Sequence, residues 1–246
     1  MRFEFAFHRE LEEAKNKRWP LIIPLGVLEY HGPHDAYGTD GLIPEALARK
    51  LEERHDGKCV IMPTFWYGAA SYAVAPIEKG CSINVDYDAL DHLFCGIFES
   101  LLRHGWRNIY CIQFHQSEDL LPMQLSIMKA AKSVTFKFLQ DRDGEGWWGN
   151  NTNKDFYESM NSVNHPWNWI RVIRPGVGEN ITEFDHAGKW ETSSLMAVHP
   201  EAVRLERWND TGEWFCQTAK DASVEIGEKV NALMLDNLDR QILWQD

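Results

Sequence analysis

The feature that most constrains this chain is an alternation of short apolar runs with helical patterns. Leu21-Ile-Ile-Pro-Leu-Gly-Val-Leu28 reads as a buried strand weakened by Pro24, followed by an amphipathic helix from about Leu42 to Arg54. Val60–Thr64 is the next strand. From Asp88 to His104, apolar residues at Leu90, Leu93, Phe94, Ile97, Phe98, Leu101 and Leu102 keep helical spacing, with an acidic start and Gly105 as the stop. Asn108–Phe114 has the length and composition of a strand; a helix around Asp119–Ala131, a strand Val134–Leu139, a strand Ile170–Ile173 and a helix from about Trp214 complete the reading. Strands separated by helices predict an α/β layer with a mostly parallel sheet, because parallel neighbours need a crossover connection. Ligands gather at the carboxyl ends of such strands. Glu29 and His115 both fall there.

The 246 residues suit one domain spanning 1–246, with a Trp-rich insertion at about 141–169 that is too long and polar for a simple connection. A hydrophobic share of 44% is enough to build a core, and four tryptophans in the insertion argue against disorder. Trp147, Trp148, Trp167 and Trp169 could wall a small polar ring as substrate-binding residues, or bury against a neighbouring subunit. The net charge of −12 argues against a nucleic-acid partner, which needs clustered Lys and Arg. No run reaches the roughly 18 apolar residues of a membrane span, and acids interrupt the amino terminus where a signal peptide would be apolar. The expectation is a cytoplasmic protein without a membrane partner. The five cysteines never form a C-x-x-C pair, so neither a disulfide framework nor a thiolate zinc site is indicated.

Chemistry concentrates in Glu29-Tyr-His31-Gly-Pro-His34-Asp-Ala-Tyr-Gly-Thr-Asp40. Imidazole nitrogen and carboxylate oxygen together suit zinc, manganese or iron. Glu29 and His31, two apart, project to the same side of an extended strand end. A polar surface loop with two ordinary histidines would have the same residue content, and the spacing is only moderately specific.

The run from Pro24 to His34 and on through Gly38-Thr-Asp40 resembles the signature of the creatininase, or creatinine amidohydrolase, family. Three further blocks match in order: Arg103-His-Gly-Trp-Arg-Asn-Ile109, His115 after the next strand, and His186-Ala-Gly-Lys-Trp-Glu191-Thr-Ser. The resemblance implies a three-layer α/β/α sandwich, two divalent metal ions per chain (Zn, Mn or Fe) and a homo-oligomer, commonly a hexamer. It further implies that Glu29, Asp40 and His115 hold one metal and that His31, the bridging Asp40 and Glu191 hold the other. His186 takes the place of the family's catalytic histidine. The chain departs from the pattern after His115, where the best-known member has a metal-binding Glu two residues on and this sequence has Ser117-Glu118. Either Glu191 or Glu118 then completes the second site, and Glu191 belongs to a matching block. The stretch Tyr72–Ile83 also differs, and both departures weigh against creatinine itself.

The reaction implied is hydrolysis of a small polar cyclic substrate, foremost a cyclic amide, by a hydroxide shared between the metals, with His186 protonating the leaving atom. Ring opening of a keto-cyclitol at a carbon–carbon bond and formamide hydrolysis are the alternatives. An inactive metal-binding oligomer ranks last.

Overall fold

The computed structural model describes residues 1–76, 82–116, 121–176 and 185–245. Among these, four strands form one wholly parallel sheet: β1 (Leu21–Leu25), β2 (Val60–Ile61), β3 (Ile109–Gln113) and β4 (Ile170–Ile173), in the order β2-β1-β3-β4. Six α-helices accompany them: α1 (His8–Asn16), α2 (Thr39–Arg54), α3 (Tyr87–Arg103), α4 (Pro122–Asp143), α5 (Lys189–Val198) and α6 (Val224–Gln241). The period-2 geometry of strands divides the core in two. Leu21, Ile23, Leu25, Ile109 and Cys111 face α3 and α4, while Ile22, Tyr110 and Ile112 face α2, α5 and α6. The result is an α/β/α sandwich, as expected. No helix of the described residues is long and apolar enough to cross a membrane.

The chain order reverses between β1 and β3, and at such a switch point a crevice opens beyond the carboxyl ends of the strands. Glycine brings the flanking elements together there: a Cβ on Gly26, just after β1, would lie 2.7 Å from the Cα of Gly41 in the first turn of α2. Two element predictions are corrected. Val134–Leu139, read as a strand from its β-branched and aromatic residues, is the second half of α4, because Ile127, Ala130, Ala131 and Val134 follow helical spacing and bury that face on the sheet. Pro122 occupies its first turn, where a missing N–H costs nothing. The carboxyl-terminal helix starts at Val224, not near Trp214, because Ser223 caps it by accepting from the Ile226 N–H.

Candidate metal centre

Three elements deliver the predicted acids and histidines to one place. The loop after β1 carries Glu29 and His31, the first turn of α2 carries Asp40, and His115 follows β3. Glu191 arrives from the first turn of α5. Helix N-termini favour carboxylates, so the positions of Asp40 and Glu191 are locally stable for anions. His115 Nδ1 lies 3.2 Å from Glu29 Oε2 and 3.3 Å from Asp40 Oδ2. His31 Nε2 lies 3.7 Å from the same Asp40 oxygen and 3.5 Å from Glu191 Oε2. One carboxylate oxygen is thus shared between two imidazoles, and all of these groups are buried.

Neighbouring backbone fixes the ring orientations. His31 Nδ1–H donates to the Glu29 carbonyl at 3.0 Å, which leaves Nε2 as the nitrogen directed at Asp40 and Glu191. His186 Nε2–H donates to the Tyr30 carbonyl at 2.9 Å, and its Nδ1 lies 3.9 Å from Glu191 Oε2. Ala187 adopts φ +50° and points its N–H at Glu191 Oε2, 2.7 Å away. Gln116, after His115, has φ +50° as well. Left-handed backbone at two non-glycine residues beside site histidines is strain of the kind that collects at functional sites. The carboxylate of Asp185, next to His186 in the chain, accepts from the N–H groups of Trp190 and Glu191 at 2.8 and 2.9 Å and so caps α5.

The donor set fits divalent ions. Asp40 Oδ2 and His31 Nε2 are buried with no hydrogen-bond partner, a costly arrangement unless a cation completes it. Three groupings have ligand atoms within 4.8 Å of one another: Glu29, Asp40 and His115; His31, Asp40 and Glu191; and Glu29, His31 and His186. Burial alone would lower the His115 pKa, but Asp40 and Glu29 reverse this and push it up to about 10. His31 is likewise raised, by Glu191 and Asp40, against burial. Burial would raise the Asp40 and Glu191 carboxyls; instead His115 and His31 hold Asp40 down and His31 and His186 hold Glu191 down. The three carboxylates thus hold cationic imidazoles close in the absence of a metal, and a divalent cation could take over that charge balance. Ser117 and Glu118 lie outside the described residues, as does Lys79-Gly-Cys81.

The structure does not bring the four tryptophans of the insertion to this cluster. Trp169 immediately precedes β4, buried between Phe138 and the Arg107 guanidinium, at the opposite end of the strands. Trp147 and Trp167 pack on Phe136 of α4, and Trp148 packs on Phe156 and Tyr157. Tryptophan content signalled an ordered segment but carried no information on which end of the sheet receives it. Residues that the sequence reading passed over do reach the site: Phe215 lies 5.3 Å from the His186 ring, and Tyr30 OH donates to Glu213 Oε2 at 3.0 Å.

A matching family model covers residues 7–237, described as creatinine amidohydrolase. The chain belongs to the creatininase family. This family member is 25% identical over 194 residues to the creatinine amidohydrolase of Pseudomonas putida, covering 76% of this chain and 67% of that one. It is 22% identical over 209 residues to the 3-dehydro-scyllo-inosose hydrolase of Thermotoga maritima (strain ATCC 43589 / DSM 3109 / JCM 10099 / NBRC 100826 / MSB8), covering 85% and 60%. The chain therefore spans about two thirds or less of the length of these relatives. A solved structure described as "Creatininase Mn" superposes with a TM-score of 0.73 at 19% identity over 98% of this chain and 96% of that one, which shows the shared fold. The creatininase-family chain is a metal-dependent hydrolase.

Behind the cluster sits a second buried polar group. Thr192 Oγ1 donates to Asp35 Oδ2 at 2.7 Å and lies 3.1 Å from His34 Nε2, joining the β1 loop to α5. Burial raises the Asp35 carboxyl to about 7. Its folded pKa exceeds the unfolded value of 3.8, so its contribution to stability is full below 3.8 and is lost as pH rises through 7. Asp35→Asn cannot titrate. Its unfolding free energy is expected to gain about 2 kcal/mol on wild type between pH 5 and pH 8, at roughly 1.4 kcal/mol per pKa unit. Urea titrations at both pH values check this, and an equal difference at the two would refute it.

Proposed function

We propose that the chain hydrolyses a small polar cyclic amide at a two-metal centre formed by Glu29, His31, Asp40, His115 and Glu191. The observation that carries this reading is Asp40 Oδ2, buried without a hydrogen-bond partner between His115 Nδ1 and His31 Nε2 at 3.3 and 3.7 Å. Two like charges roughly 3.5–4 Å apart need a shared anion, and in this reading Asp40 would serve as that anion. Glu29 and His115 would complete one set and His31 and Glu191 the other. When bound, the ions would supply an acidified water and a Lewis acid for the scissile carbonyl. His186 holds its Nε2 proton on the Tyr30 carbonyl, so Nδ1, on the side of Glu191, is the nitrogen available to pass a proton to the leaving nitrogen. Ala187 N–H orients Glu191 for the second set, and the left-handed turn at Ala187 keeps that N–H aimed.

A second reading keeps the site and changes the bond. The similarity to a 3-dehydro-scyllo-inosose hydrolase favours ring opening of a keto-cyclitol at a carbon–carbon bond, where His186 would protonate carbon instead of nitrogen. Formamide hydrolysis uses the same groups on a smaller substrate. A homo-oligomer in the cytoplasm belongs to the same proposal, supported by exposed Trp148 and Tyr157, which could meet another subunit. The test is metal analysis followed by hydrolysis assays on cyclic amides, formamides and keto-cyclitols. About two ions per chain are expected, with activity lost to chelator and restored by zinc or manganese. Less than one ion per chain, together with turnover indifferent to chelator, would sink the proposal.

A further inference from the structure

We infer that Phe215 and Trp214 form the aromatic wall on which the substrate ring lies beside His186, and so determine specificity for ring compounds. The inference rests on the hydrolase reading above. His186 is 27% exposed in a cluster whose other members are buried, so the approach to the site passes its ring. Phe215 stands 5.3 Å from that ring at 64°, on an imidazole that also lies 4.4 Å from His31 with the rings tilted by 36°. Trp214 meets Phe215 edge to face at 5.9 Å, yet is 85% exposed. A tryptophan that open, one ring removed from His186, offers a large flat face.

The strip that carries the pair is fastened to the metal loop. Tyr30, between Glu29 and His31, donates its hydroxyl to the buried Glu213 carboxylate, to which Thr211 also donates. Tyr30 meets Phe215 edge to face at 6.5 Å. On the other side, Gly32 has φ +66°, and a Cβ there would lie 2.5 Å from Cys216 Sγ, so loop and strip pack without a gap. The wall therefore keeps a fixed position relative to the metal ligands, as recognition of a ring poised for attack requires. Tyr37, 6.0 Å from Tyr30 and partly exposed, extends the same aromatic surface. Aromatic faces suit a planar amide and the apolar face of a cyclitol, whereas a one-carbon amide is too small to reach both His186 and the wall.

The test measures binding of hydantoin, creatinine, 2-keto-myo-inositol and formamide to the manganese-loaded full chain, by calorimetry, for wild type, Trp214→Ala, Phe215→Leu and Phe215→Tyr. Wild type is expected to bind at least one ring probe. Trp214→Ala and Phe215→Leu should weaken that binding about tenfold or more, and Phe215→Tyr should keep it within about twofold. Formamide affinity, metal content and oligomeric mass should not change. The wall is overturned if no ring probe binds wild type, or if Trp214→Ala leaves ring affinity intact; a changed oligomeric mass with intact affinity would make Trp214 a subunit contact instead. Metal-dependent formamide hydrolysis without ring binding would remove the wall and keep the hydrolase. Wall-dependent ring binding without hydrolysis of any probe would do the reverse.

Discussion

Asp40→Asn is expected to abolish metal-dependent hydrolysis, with turnover falling by about three orders of magnitude or more and metal content by at least half. The argument is electrostatic. Asp40 Oδ2 stands 3.3 Å from His115 and 3.7 Å from His31, so it belongs to both candidate ligand sets. A neutral amide retains the shape but could not offset the repulsion between the two divalent ions of the proposed centre, worth several kcal/mol in a buried site. The metal-free variant should also unfold more easily, because the buried His115 and His31 lose the carboxylate that raises them, so running the assay below the variant's thermal melt separates loss of function from unfolding. Metal analysis with a steady-state assay decides the matter: a variant with two ions and wild-type turnover removes Asp40 from the centre.

The second large effect concerns His186. His186→Gln should lower kcat by about 10²- to 10⁴-fold, the usual contribution of a positioned acid or base, while metal content stays at the wild-type level. Gln can still donate to the Tyr30 carbonyl that accepts from Nε2 at 2.9 Å, so the loop should hold its shape. What it cannot do is transfer a proton from the position of Nδ1. The experiment also separates two roles, because Glu29, His31 and His186 form a third group able to hold an ion. If His186→Gln loses metal in proportion to activity, the residue is a ligand and the proton comes from elsewhere.

Much of this was legible in the residues. The spacing from Leu90 to Leu102 identified α3 because an amphipathic face has to repeat every 3.6 residues to reach a core. Ile170–Ile173 was read with the bounds it has in the sheet. The collinear blocks carrying Glu29, Asp40, His115 and His186 pointed to a family that the comparison with residues 7–237 then established. Val134–Leu139 misled because Val, Thr and Phe carry a strand preference that is weak beside burial of a whole helix face against α3 and the sheet.

Glu29, His31 and Asp40 could be singled out from the sequence because they crowd one short loop and its following helix turn, and the resemblance to a family signature added what their moderately specific spacing lacked. The sequence also determined the parallel α/β architecture, since its two periodicities are properties of individual segments. Only the tertiary structure decided that Asp40 stands between two imidazoles, that Asp185 is a helix cap, and that Phe215, with Trp214 packed on it, lies against His186 while the tryptophans of residues 147–169 pack elsewhere. Those relations join residues far apart in the chain, and they depend on which ends of the strands a returning segment meets. That choice is made by the packing of whole layers, and no local pattern of side chains encodes it.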